Sequence, residues 1–162
     1  MHPSRIHPVQ AEHVRFGRGL GTRRVISGRD TGGAFGLVEH DLPPRQLGSP
    51  VHTHEHEDEY SYVLSGRLSA QVGDTVLHAD PGQLIAKPRG IPHAFWNAEV
   101  ETVRFLELIT PGGFEEYFFE MAAPINARDL VTMGTIRDRH HLAVRIESVP
   151  ELLERYALEP MF

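Results

Sequence analysis

Pro50-Val51-His52-Thr53-His54-Glu55-His56-Glu57-Asp58-Glu59 places His52, His54 and Glu59, all capable of holding a metal, within eight residues. In an extended strand, side chains two apart share a face. His52 and His54 therefore aim together, roughly 7 Å apart at the backbone by strand rise. The acidic run 55–58 suits a turn, after which Glu59 opens a second strand, and a hairpin returns it beside the two histidines. About forty residues on, Gly82…Pro88-Arg89-Gly90-Ile91-Pro92-His93…Asn97 adds a fourth ligand-type residue, His93, directly after a Pro-x-Gly turn.

Three imidazoles and one carboxylate form a mixed nitrogen and oxygen set suited to one divalent transition metal (Fe, Mn, Ni, Co, Cu or Zn), and the sequence does not choose among them. Cysteine is absent, which excludes disulfides and thiolate sites. His56 shares strand parity with His54, but among Glu55, Glu57 and Asp58 it reads as an exposed turn residue. Those acids read as a solvated loop. Of the eleven histidines, His7, His13, His40, His78, His140 and His141 have no spacing that links them to the site and read as structural or surface. His2 belongs with the N-terminal arm.

Around these motifs the chain alternates short β-branched and aromatic segments with Gly, Pro and Asp turns. Strands are expected at 24–27, 34–40, 51–54, 60–64, 68–72, 76–78, 83–87, 93–97 and 102–110. Their close spacing favours a mainly β barrel or sandwich. Residues 1–20 read as an irregular arm and 21–112 as the barrel. Residues 113–162 read as a C-terminal helical appendage of the same domain. Within it, apolar spacing predicts a helix over 114–121, a second over 129–137 and a third over 148–156. Ser148 and Glu151 fit a capping box for the third, with Pro150 in its first turn.

The spacing His52-x-His54-x4-Glu59-x6-Gly66 resembles the first motif of the cupins, and Gly82-x5-Pro88-x-Gly90-x2-His93-x3-Asn97 reproduces their second. The leading glycine of the first motif falls at Gln46, whereas this chain has Gly48. The resemblance implies a double-stranded β-helix (jelly-roll) barrel with His52, His54, Glu59 and His93 as metal ligands. Asp30-Thr31-Gly32-Gly33 and Thr110-Pro111-Gly112-Gly113 further resemble the quercetin dioxygenase-like monocupins. In those relatives the residue corresponding to Glu59 both binds metal and accepts a substrate proton, so Glu59 is also the candidate catalytic residue. Phe95 shares parity with His93 and is a candidate wall of the substrate pocket. Phe35 and Phe105 are weaker candidates.

The resemblance thus implies a metal-dependent oxygenase acting on a small enolisable, phenolic or flavonol-like compound. A non-enzymatic metal or small-molecule binding module, and a metal-dependent isomerase or lyase, stay open beside it. The formal charge of −6 comes with scattered Lys and Arg, which excludes a phosphate-binding footprint and hence nucleic acid as partner. No run is apolar enough for a membrane span or signal segment, so a cytoplasmic location is expected. A homodimer is expected from the edge strands that a β protein must cover.

Overall fold

The computed structural model describes residues 12–161; His2 and His7 lie outside them. Before the first motif come β1 (His13–Arg15), β2 (Gly21–Ile26) and β3 (Gly36–Leu42), and β4 (Leu47–His54) and β5 (Asp58–Ser65) carry that motif. Next come β6 (Leu68–Val72), β7 (Thr75–Ala79) and β8 (Leu84–Lys87), then β9 (His93–Trp96) with the second motif, and β10 (Val103–Thr110). Helices α1 (Glu116–Ala127) and α2 (Leu130–Arg139) follow, then β11 (Leu142–Arg145), a 3-10 turn at Ile146–Ser148 and α3 (Val149–Arg155).

Two antiparallel sheets form the jelly-roll barrel, ordered β1-β2-β3-β10-β5-β8 and β11-β4-β9-β6-β7. Alternation sets which residues face inward. In β10 that face is Val103, Phe105, Glu107 and Ile109, and in β3 it is Gly36, Val38, His40 and Leu42. The core fills the space between the sheets with Val38, Val63, Phe95, Phe105 and Ile109. A smaller cluster beneath α3 joins Leu47, Trp96, Leu152 and Leu158, with Trp96 stacked on Tyr156 at 4.0 Å.

Several elements depart from the sequence reading. The arm contains β1, paired with β2, and its Phe16 and Leu20 are buried in the core. Strand β4 begins four residues before the expected 51, because β9 pairs with it through two irregularities despite its Gly, Ser and Pro content. The first helix starts at Glu116 and carries Pro124 inside it. Its apolar face, Phe118, Met121 and Ala122, packs on its own barrel, and burial of each large side chain stabilises by about 1.5–3 kcal/mol. The capping box does not form. Ser148 Oγ instead accepts from Val51 N at 3.0 Å and donates to Arg145 O at 2.7 Å, tying the turn after β11 back to β4. Pro150 does sit in the first turn of α3.

Candidate metal centre

The period of β4 turns His52 and His54 inward, β5 brings back Glu59, and β9 delivers His93 opposite His52. All four are buried, and one ligand atom from each lies within 4.8 Å of the others. Glu59 Oε2 is 3.2 Å from His93 Nε2, and Glu59 Oε1 is 3.4 Å from His54 Nε2. Ligand atoms about 3 Å apart match neighbouring positions around one ion with bonds of ~2.1 Å.

The imidazoles are oriented from behind. His52 Nδ1 lies 2.9 Å from Pro50 O, and His93 Nδ1 lies 3.0 Å from Ile91 O. A carbonyl can only accept, so Nδ1 carries the hydrogen and Nε2 keeps its lone pair for the centre. His54 has both ring nitrogens buried without a hydrogen-bond partner, Nδ1 standing 3.5 Å from Glu57 Oε2. An orphaned imidazole nitrogen aimed at two others and a carboxylate fits a divalent ion. Burial, then the neighbouring imidazoles, hold His52 well below the usual histidine range, and burial also lowers His93 against the pull of Glu59. Both imidazoles are therefore neutral near pH 7, the form that metal ligation requires.

The acidic turn does more than face solvent. Asp58 binds the turn of the second motif, accepting from Arg89 N at 2.8 Å and from Arg89 Nη2 at 2.8 Å. Gly90 N donates to His54 O at 2.8 Å, which ties the Pro-x-Gly turn to the ligand strand. His56 is exposed, as expected. With Glu55 and His141 it forms a second, wholly exposed group of ligand-type residues.

Three buried polar neighbours of this group escaped the sequence reading. Lys87 is buried, its Nζ 3.0 Å from Glu59 Oε2 and 2.8 Å from Glu107 Oε2. Burial alone would push the Glu59 carboxyl up, but Lys87 with His54 and His93 holds it well below the usual range. Burial pushes Glu107 up to about 7 against the pull of Lys87. His40, expected to be structural or surface, is buried in the barrel and also lines a cavity. Strand parity was the available signal: Glu107 and Lys87 interrupt apolar runs at inward positions.

The cavity measures about 90 Å3 and is lined by His52, Glu59, His40, Glu107, Phe95 and Phe114, among others. Phe95 is thus on its wall. Phe105 is not; it is buried behind, its ring 5.1 Å from His40 and 5.7 Å from Phe95. Phe35 is not on the wall either, since it precedes β3 in the loop that Thr31 closes through a hydrogen bond to Phe35 O. Phe114, just before α1, stands edge-on to His54 at 4.3 Å.

The Cupin domain family model matches residues 38–109. A solved sugar phosphate isomerase of the cupin superfamily from Silicibacter pomeroyi is similar with TM-score 0.55 and 26% identity, over 66% of this chain and 75% of that one. The polyketide cyclase RemF from Streptomyces resistomycificus is similar with TM-score 0.55 and 31% identity, over 66% and 78%. An oxalate decarboxylase variant from Bacillus subtilis shares the fold at 21% identity and TM-score 0.59, over 71% of this chain and 32% of that one. No curated protein matches the chain by sequence. With the motif histidines on the paired strands β4 and β9 of a jelly roll, and with a relative 31% identical over 78% of its length beside the family match, the chain belongs to the cupin superfamily.

Proposed function

We propose that this cupin is a metal-dependent enzyme, an oxygenase acting on a compact enolisable or phenolic compound. The observation that carries the reading is the buried group His52, His54, Glu59 and His93 bordering an apolar cavity. A bound divalent ion would supply Lewis-acid polarisation and a template for substrate oxygens. The chain's own side chains do the rest. Phe95, Phe114 and Phe118 give the cavity apolar walls that would disfavour water there, and His52 and His93 are pre-oriented by their backbone carbonyls. Glu59 is pinned ionised by Lys87, which suits ligation. A base role requires its release from that ion pair, because a strongly depressed pKa leaves little drive to accept a proton.

Cavity size narrows the substrate. At about 90 Å3 it falls below the roughly 300 Å3 of sites for drug-sized ligands. This favours a catechol- or enediol-sized molecule over a flavonol. The test is oxygen uptake by metal-replete protein with catechol- and enediol-type compounds, with His52→Ala as control. Uptake by the native protein and its loss in a folded His52→Ala variant are expected; equal turnover by the variant overturns the reading.

A second reading, non-oxidative isomerase or lyase chemistry at the same centre, is favoured by the isomerase and cyclase relatives at 26% and 31% identity. Turnover under strict anaerobiosis selects it.

A further inference from the structure

Polar side chains cross the inward face of the six-stranded sheet on a diagonal. Thr22 pairs in register with His40, His40 with Phe105, and Glu107, two residues along the same strand, with Ser61. Two residues before Ser61, Glu59 pairs with Lys87. Contacts hold both ends of this track. Thr22 Oγ1 is 2.9 Å from His40 Nδ1. At the other end Ser61 Oγ and Lys87 Nζ each donate to Glu107 Oε2 at 2.8 Å. In between, His40 Nε2 and Glu107 Oε1 are buried with no hydrogen-bond partner among the described residues. Both residues line the cavity that His52 and Glu59 border. Diagonal neighbours on adjacent strands stand roughly 7–8 Å apart at the backbone, within reach of one atom held between their side chains.

We propose that His40 and Glu107 are the specificity-determining pair of this cavity and together bind a hydroxyl group of the substrate. The inference rests on reading the cavity as the substrate site. A hydroxyl fits because it is both donor and acceptor. His40 Nδ1 has two neighbours, the Thr22 hydroxyl at 2.9 Å and, farther off, Gly21 O at 3.4 Å; in the proposed pair the nearer hydroxyl donates to Nδ1, which places the hydrogen on Nε2. The ligand oxygen accepts from Nε2–H, and its own hydrogen goes to Glu107 Oε1. A ketone or ether oxygen answers only His40, an ammonium answers only Glu107, and a carboxylate meets the acid of Glu107. Burial, then the charge of Lys87, holds the His40 pKa down to about 4, so the ring is neutral near pH 7 and acts as a hydrogen-bonding group rather than a cation. The substrate class is therefore a small, largely apolar molecule with a hydroxyl at the His40–Glu107 wall and its reacting group toward His52 and Glu59.

The test uses the full-length protein and two probes of matched shape, phenol and toluene, with affinities from titration calorimetry. Native protein is expected to bind phenol at least about tenfold tighter than toluene, since a site built to hydrogen-bond a hydroxyl rejects the analogue lacking it. His40→Phe and Glu107→Gln are expected to weaken phenol roughly tenfold and to change toluene little. In Glu107→Gln the amide oxygen stays with Lys87 and Ser61, so an NH2 replaces the acceptor at the gap. His40→Gln, whose amide nitrogen can stand near the Nε2 position, is expected to recover part of the phenol affinity. A phenol-to-toluene ratio that is the same in native protein and His40→Phe overturns the proposal and assigns the gap to a water. Absence of phenol binding to native protein overturns it too, and that arm needs no variant to fold. Metal content and oxygen uptake are read separately, so loss of the metal-enzyme reading leaves the probe ratio interpretable.

Discussion

Lys87 Nζ stands 3.0 Å from Glu59 Oε2, with both side chains buried, and the same ammonium reaches Glu107. One cation thus bridges two buried carboxyl groups on the floor of the candidate centre. Removing it leaves uncompensated charge in the barrel, and breaking such a pair costs about 3–5 kcal/mol. Lys87→Met is expected to destabilise the metal-free protein by that order. A divalent ion would restore part of the lost charge balance, so Mn or Zn should raise the melting temperature more in the variant than in native protein. Equal metal-induced shifts in the two proteins would refute this coupling.

Metal content separates the buried group from the exposed one. His52→Ala and His93→Ala each remove a side chain whose orientation is already held by a backbone carbonyl. Even disturbing such an orienting contact typically costs 10–100-fold in metal affinity, on the order of what full truncation must exceed. Elemental analysis should therefore find bound metal sharply reduced in both variants, with the circular dichroism of the barrel unchanged. His56→Ala and His141→Ala alter only the exposed trio with Glu55 and should leave tightly bound metal at the native level. Undiminished metal in His52→Ala would remove the centre from this site.

Acid should destabilise the metal-free protein before carboxylates of ordinary pKa titrate. His40 titrates near 4 when folded, against an unfolded value of about 6.5. Between those values the unfolded chain binds more protons, so stability falls as pH drops from about 6.5 toward 4. Burial shifts His52 and His93 in the same direction. Glu107 works the other way: its folded pKa, raised to about 7, makes the folded state the better proton binder between about 4.5 and 7. The contribution of His40 is isolated by His40→Phe, which should flatten the fall by up to about 1.4 kcal/mol per pH unit. Urea midpoints from pH 4.5 to 7.5 give the slopes, and parallel curves for native protein and variant would contradict the assignment.

The candidate ligands were legible because their spacing is set by local rules. A strand period of two aims His52 and His54 together, a short turn returns Glu59, and Pro88 and Gly90 shape the entry to His93. What surrounds them depends on pairings distant in sequence. Glu107 meets Lys87 only because β5 lies between their strands, and His40 reaches the cavity only once β3 is known to flank β10. Strand β11 is four residues long and follows a helix, so only its partner β4 makes it a strand. Ser148 shows the same competition. Its local pattern favours a cap, but the Val51 N–H of β4, beside the end of β11, donates to the hydroxyl instead.

The displaced glycine of the first motif has a packing reason. Gln46 occupies the motif position, buried, with its carbonyl accepting from Asn97 N at 2.9 Å. Gly48 instead lies where the Phe95 ring crosses β4, and a Cβ there would overlap that ring. The ring cannot simply swing aside, since Phe105 stands at 5.7 Å on one side and the Lys87 ammonium at 5.0 Å on another. Gly48→Ala is thus expected to cost about 1–3 kcal/mol by overpacking and to push Phe95 into the cavity, weakening toluene binding. Phe95→Leu removes the obstructing ring edge, so the cost of Gly48→Ala should shrink in that background. Contacting residues deviate from additivity by about 0.5–3 kcal/mol. Strict additivity in a double-mutant cycle of unfolding free energies would show that Gly48 is not there to admit Phe95.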